Sequence, residues 1–503
     1  MRPSPDSGRA GISSALALLL SATAFAQNDQ PARPAMPPGM PKPVVLRVGT
    51  IHPVDAPAIE NGVVVVQMSR IVAMGAADSV EVPADATVLD YPNAHAYPGI
   101  VDAWSAAFVP PGERTSTAVD AASDIGLVLD ESDELSRQLA EFGVTTAYVC
   151  NRGAGTWRGI GSIVRPKPSG IGRYRHDPIP AVHLRLTDGS PRNHALNRAK
   201  LAEPIQQLFD SLADYERLQK KFAKSLEKYE KDFEKYLEHY EKNKPKDGET
   251  TDDGKPESGG KSEGTDSKKS RRRPKKPADE ASKGGDEKSS EDGKGDGDEK
   301  DKKEKDDKAP KRPKYPSQPK PDPVKDVLIE VRDGQRALRV EAQRGQEIDQ
   351  ALELQSECSI DTLVLEGAAA AANHAEQLAD RGIAVVLTDV ESFDDKTLGP
   401  GTEHLVERLH AAGVPIAIAS GGIQRARNLP TIAARAAAIG LGEDDAIRAI
   451  TLTPAEIIGI ADHAGSLTTG KVADILITSA PLLQSDARIV QVLAAGRPVL
   501  PTE

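Results

Sequence analysis

Cysteine is nearly absent from this chain of 503 residues, with only Cys150 and Cys358 present. Two thiols define no disulfide framework, even in an oxidising compartment, and buried free thiols are the expectation. Aromatic residues are equally scarce at 4%, while charged residues reach 28%. That mixture excludes one uniform globule and points to a polar segment diluting an ordinary domain. An excess of positive charge is also lacking. The formal net charge is −12 and the isoelectric point near 5.5, so no overall field favours nucleic acid. Long apolar runs are missing too, and "ISSALALLL" near the N-terminus is too short to span a bilayer.

That short run has the grammar of an export signal. Arg2 and Arg9 flank its start, and Ala24 and Ala26 offer small residues for cleavage before Gln27. Residues 1–26 are therefore expected to be a signal peptide, and the mature chain to be periplasmic or extracellular with no membrane span. Residues 27–43 read as an extended Pro-rich linker.

From residue 44 to 97 short apolar runs alternate with turn residues, which is strand grammar and implies the first part of a small β-sandwich domain. From 98 to 204, and again from 324 to 469, strands such as "GVTTAYV", "AVHLRL", "LRVEAQ" and "TLVLEG" alternate with helical stretches such as "ESDELSRQLAEF" and "TEHLVERLHAAG". Alternation of this kind predicts an α/β fold with a parallel sheet covered by helices, and its length suits a (β/α)8 TIM-like barrel, with a doubly wound open sheet as the rival. Residues 470–503 return to strand grammar and are expected to complete the β-sandwich domain.

Residues 205–323 interrupt the barrel. Phe222, Leu226, Tyr229, Phe233, Tyr236 and Tyr240 recur at steps of four and three on a highly charged stretch, which predicts a helix with a heptad seam. A homo- or hetero-oligomer formed through residues 215–240 would bury that seam. The tract that follows has almost no apolar residues and is expected to be disordered. Its basic run, residues 268–276, is flanked by acidic blocks and reads as polyampholyte linker, with no nucleic-acid partner.

Several stretches taken together resemble the amidohydrolase superfamily, and within it the imidazolonepropionase-like group. They are "IENGVVVVQMSRIVAMG", "YPGIVDA", "FGVTTAYV" and above all "ITLTPAEIIGIADHAGSLTTGKVADILI", with Thr451, Pro454, Ala455, Gly459, Gly470, Lys471, Ala473 and Asp474 at the matching places. The resemblance covers residues 44–204 and 324–503. It implies metal-dependent hydrolysis of non-peptide C–N bonds, often in cyclic amides. Imidazoles and a carboxylate at the barrel-strand ends hold one or two cations, and an aspartate shuttles the proton.

Set against that pattern, Pro98, Gly99 and Asp102 match, but the two positions of the His-x-His pair hold Trp104 and Ala106. Gln343 and Gly367 stand where the later strands would carry histidine, and Ser420 and Gly421 where the last would carry the aspartate. These seven residues, Asp102 included, are expected to line a degenerate pocket. A second, weaker cluster is His176, His183 and His194 around the third barrel strand. The reading is an exported pseudoenzyme that acts by binding an undefined small molecule or protein, with no cofactor expected. Two alternatives remain: an active amidohydrolase with zinc at a displaced site, and an assembly protein using the heptad helix.

Overall fold

The computed structural model describes residues 41–110, 119–153, 155–167, 171–174, 179–187, 195–242, 311–390 and 404–500. The expected signal peptide, most of the Pro-rich linker and most of the disordered tract therefore lie outside the described residues, as do His176 and His194. The chain divides into two compact units, one of Met1–Gln206 with Val327–Glu503 and one of Gln207–Asp326. Among the described residues no helix is long and apolar enough to cross a membrane.

Both ends of the chain build one seven-stranded sheet. Its strands are β1 (Val44–Ile51), β2 (Ile59–Gln67), β3 (Arg70–Ala76) and β4 (Thr87–Pro98) from the N-terminal side, and β15 (Ile475–Thr478), β16 (Ile489–Ala494) and β17 (Arg497–Pro498) from the C-terminal side. The order is β17-β16-β15-β4-β1-β2-β3. β15 joins the two ends by pairing antiparallel with β4, Leu476 opposite Tyr97. Alternation sends Leu46, Val48, Val64 and Val66 to one face and Val45, Val63 and Val65 to the other. The expected β-sandwich is thus corrected to a single sheet that is apolar on both faces. The second face is covered by Val80, Val82 and Ala86 from the chain's own loop, not by another sheet.

The α/β part holds two further sheets. One has the order β5-β6-β8-β9 and the other β14-β13-β12-β11-β10-β7. Their strands are β5 (Ile100–Ser105), β6 (Val144–Val149), β7 (Trp157–Ile160), β8 (Ser162–Pro166), β9 (Ile171–Tyr174), β10 (Val182–Arg185), β11 (Leu338–Ala342), β12 (Leu363–Gly367), β13 (Ala384–Leu387) and β14 (Ile416–Ile418). β5 and β6 run parallel, and so do β10 to β14. β7, β8 and β9 run antiparallel to their neighbours. The architecture is TIM-barrel-like but mixed, and the described strands do not join into the single closed (β/α)8 ladder expected from the sequence. The intervals between the sheets are bridged by other backbone: Val101 N–H donates to Ile450 O, Ile418 N–H to Ala449 O, and Gly161 N–H to Ala181 O.

β6, β11, β12 and β13 are buried along their whole length, as strands with both faces covered must be. Helices Asp133–Glu141, Gly345–Glu357, Ala375–Asp380 and Leu405–Ala411 intervene between successive parallel strands. The first starts at Ser132, whose hydroxyl accepts from Leu135 N–H, and carries Asp133 and Glu134 in its first turn. Both features satisfy or complement the unpaired N–H groups of a helix start.

In the second unit a 31-residue helix spans Leu212–Lys242. Tyr229, Phe233, Tyr236 and Tyr240 stack along it with ring centroids 5.5 to 6.4 Å apart. The returning chain meets that seam: Tyr315 packs edge-on against Tyr229 with centroids 5.2 Å apart, and the Arg312 guanidinium lies 6.0 Å from the Phe233 ring. Tyr215 is tied to the same return segment, its hydroxyl donating to Asp326 and accepting from Asp322 N–H.

Candidate functional site

β5 carries the motif on which the resemblance turns, and it does so with a bulge. Asp102 pairs with Ala147 and Ser105 with Val149, so three steps on β5 match two on β6. An extra residue of this kind re-aims the side chains beside it. Trp104 is fully buried and its indole N–H reaches the Cys150 sulfur at 2.9 Å. The outer end of this group is capped by Arg152, whose guanidinium carbon lies 4.6 Å from the Trp104 ring centre and whose Nη1 donates to Gly421 O at 2.5 Å.

Asp102 is also fully buried. Its carboxylate accepts from Ser420 N–H at 2.9 Å and from the Ser420 hydroxyl at 2.5 Å. Ser420 Oγ in turn accepts from Gly422 N–H at 2.9 Å, and Gly421 N–H donates to Trp104 O at 2.9 Å. Burial raises Asp102 to about 6, and the hydrogen bonds from Ser420, Trp104 and Ser105 partly oppose that rise. With both oxygens committed, Asp102 clamps β5 to the turn after β14.

The remaining expected positions are filled from the side. Gly367 has φ +82°, and a Cβ there would fall inside contact distance of the Gln343 amide. Gly421 has φ +68°, and a Cβ there would stand 2.7 Å from Arg152 Nη1. Ala106 is buried next to Ala107 and Phe108. The structure therefore brings Asp102, Trp104, Ser420 and Gly421 together, and separately Gln343 with Gly367. The metal implied by the resemblance does not fit these residues. An indole, a methyl group and a glycine donate nothing, and the space at Gly367 already holds Gln343.

Of the weaker histidine cluster, only His183 lies among the described residues, on β10 and fully buried. Its neighbours were not anticipated from the sequence. Nδ1 faces Glu366 Oε2 at 3.3 Å and Nε2 faces the Tyr148 hydroxyl at 3.1 Å. Tyr148 gives its one proton to Ala181 O, and a carboxylate only accepts, so both imidazole nitrogens act as donors. Burial works against charge on His183, but Cys150, Glu366 and Tyr148 outweigh it and hold the imidazole well above its ordinary value. Glu366 is pulled down to about 2 against the effect of its burial, by His183 and by Arg339. Arg339 is buried as well; its Nε donates to Glu366 Oε1 at 2.7 Å, an Nη donates to Ala103 O at 2.7 Å, and its guanidinium lies 4.4 Å from the Tyr148 ring centre. Beside them Arg158 and Glu341 form a second buried pair at 2.5 Å. A signal for this interior did exist in "VHLRL", "LRVEA" and "LVLEG". A charged residue at alternate positions of an otherwise apolar buried strand points inward.

The amidohydrolase family model matches residues 351–499. The structure is similar to an amidohydrolase from Thermotoga maritima MSB8, with a TM-score of 0.62 and 18% identity over 91% of this chain and all of that one. The family match covers about 30% of the chain, and the likeness to the solved structure, at 18% identity, shows a shared fold. Lower similarity, at TM-scores of 0.45 and 0.46, relates this chain to two further structures. One is an adenosine deaminase from Xanthomonas campestris with bound zinc, 14% identical over 92% and 93% of the two chains. The other is a molinate hydrolase, 12% identical over 91% and 95%. Among curated proteins there is no match.

Proposed function

We propose that this chain is an exported amidohydrolase-superfamily protein of the imidazolonepropionase-like group that has lost metal-dependent hydrolysis and acts by binding. One observation carries the reading. The indole of Trp104 stands buried at the first ligand position, bonded to Cys150 and capped by Arg152. A cation, its water and a scissile carbonyl would need that volume, and the groups that would polarise the carbonyl and move the proton are replaced. Asp102, the one carboxylate kept, is engaged on both oxygens by Ser420.

An active C–N hydrolase working at His183 is less well supported, because that imidazole is fully buried. The assembly reading is weakened by Tyr315 and Arg312, which already meet the aromatic seam from within the same unit. The test is direct. Incubated with cyclic amides and N-acyl amino acids, with and without added zinc, the full chain should give no turnover above the buffer rate. Chelator-sensitive hydrolysis by the pure protein would refute the proposal.

A further inference from the structure

Cys150 after β6, His183 on β10 and Glu366 on β12 come from three separate stretches of chain, and all three are buried. One sulfur, one imidazole nitrogen and one carboxylate oxygen lie within 4.8 Å of one another. None of the three stands at a position where the resemblance places a ligand. The donor set is that of a borderline-soft divalent cation: thiolate and imidazole suit zinc and exclude magnesium or calcium, and the carboxylate adds charge.

The surroundings support the same reading. Each of the three residues is held by a further partner: Cys150 Sγ by the Trp104 N–H, His183 Nε2 by the Tyr148 hydroxyl, and Glu366 Oε1 by Arg339 Nε. Glu366 Oε2 is left facing His183 Nδ1. Such outer partners orient metal ligands and are part of how known sites are built. Charge also balances. A thiolate and a carboxylate supply two negative charges to a divalent cation, with a neutral imidazole as the third donor.

We propose that Cys150, His183 and Glu366 form an internal three-ligand site for zinc or a cation of its class. The site uses none of the ligand positions named from the resemblance and serves as a link between β6, β10 and β12. The proposal does not rest on the absence of hydrolysis, and its readout is metal, not turnover.

The full chain should be stripped with chelator, reloaded with zinc or cobalt, dialysed and assayed for metal per chain. One equivalent of zinc and a thiolate-to-cobalt charge-transfer band are expected. Cys150→Ser should abolish the band, and His183→Gln should weaken zinc binding at least about tenfold, the lower end for disturbing even outer partners of a metal site. Cys358→Ser, which changes the only other thiol, should alter neither. The wild-type cobalt spectrum keeps the test valid if a variant misfolds. Absence of the band in reloaded wild-type protein, or its loss in Cys358→Ser with survival in Cys150→Ser, would overturn the site and leave a purely hydrogen-bonded network.

Discussion

Replacing Asp102 with Asn should change how stability depends on pH more than it changes stability itself. In the folded protein Asp102 titrates near 6, against 3.8 for the free side chain. A carboxyl whose folded value is raised binds its proton more tightly when folded. Its contribution is therefore present in full below about 3.8 and is lost as pH rises through about 6. The shift of roughly 2 units corresponds to about 3 kcal/mol. Asn cannot titrate, although it can still accept from Ser420 N–H. Any lost hydrogen bond then appears as a pH-independent offset of about 1 kcal/mol. Thermal unfolding of both proteins between pH 4 and 7.5 would show it. The wild-type midpoint should fall relative to Asp102→Asn by about 4 °C across that interval for a body of this size. Other groups titrate in both proteins and cancel in the difference. Two parallel profiles would mean that Asp102 is no more burdened by burial than an exposed carboxylate, and the clamp with Ser420 would need another explanation.

Three further outcomes follow from the interior and the insert. In metal-free protein, Arg339→Met removes the cation bonded to Glu366 Oε1 and should cost about 3–5 kcal/mol, the scale for breaking a buried pair. Adding Glu366→Gln should recover part of that in urea unfolding, and strict additivity would show that the two side chains do not interact. In the second unit, a double-mutant cycle on Tyr229→Ala and Tyr315→Ala should give a coupling of about 1 kcal/mol, read from the helical unfolding signal. Zero coupling would mean that the return segment does not hold the seam. Replacing Tyr229, Phe233 and Tyr236 with Ser should lower the mass in solution if the rest of the seam pairs with another helix, and an unchanged mass would remove that role.

The pattern of strands and helices was legible because parallel strands covered on both faces must be short apolar runs, as in "LVLEG" and "AVVL". Strand grammar at the two chain ends was equally clear. It could not say whether those strands form one sheet or two, because alternation reports which faces are covered and not what covers them. Here loop residues such as Val80 and Val82 do the covering, and the expected sandwich became a single sheet. The strands β7 to β9 were missed for a different reason. They are four or five residues long, and a single residue, Gly161, separates β7 from β8, so each falls below the length at which a period shows.

The site divides in the same way. On the proposed reading, the missing donors could be read position by position, since Trp104, Ala106 and Gly367 have none to offer whatever surrounds them. What replaced the ligands could not, because it depends on long-range placement: Arg152 over Trp104, Gln343 beside Gly367, and Ser420 on Asp102. These replacements also explain why the pocket is a poor candidate for simple restoration. A single histidine placed at 104 would lose the indole bond to Cys150 and the ring under Arg152, while position 367 would still be blocked by the Gln343 amide. A metal site needs three or four donors around one point, and the strand ends here are packed around other contacts. Other buried polar groups lie on the neighbouring strands, at His183, Glu366 and Arg339, where strand alternation turns them inward. The proposed cation donors are Cys150, His183 and Glu366, and not the residues at the positions the resemblance names.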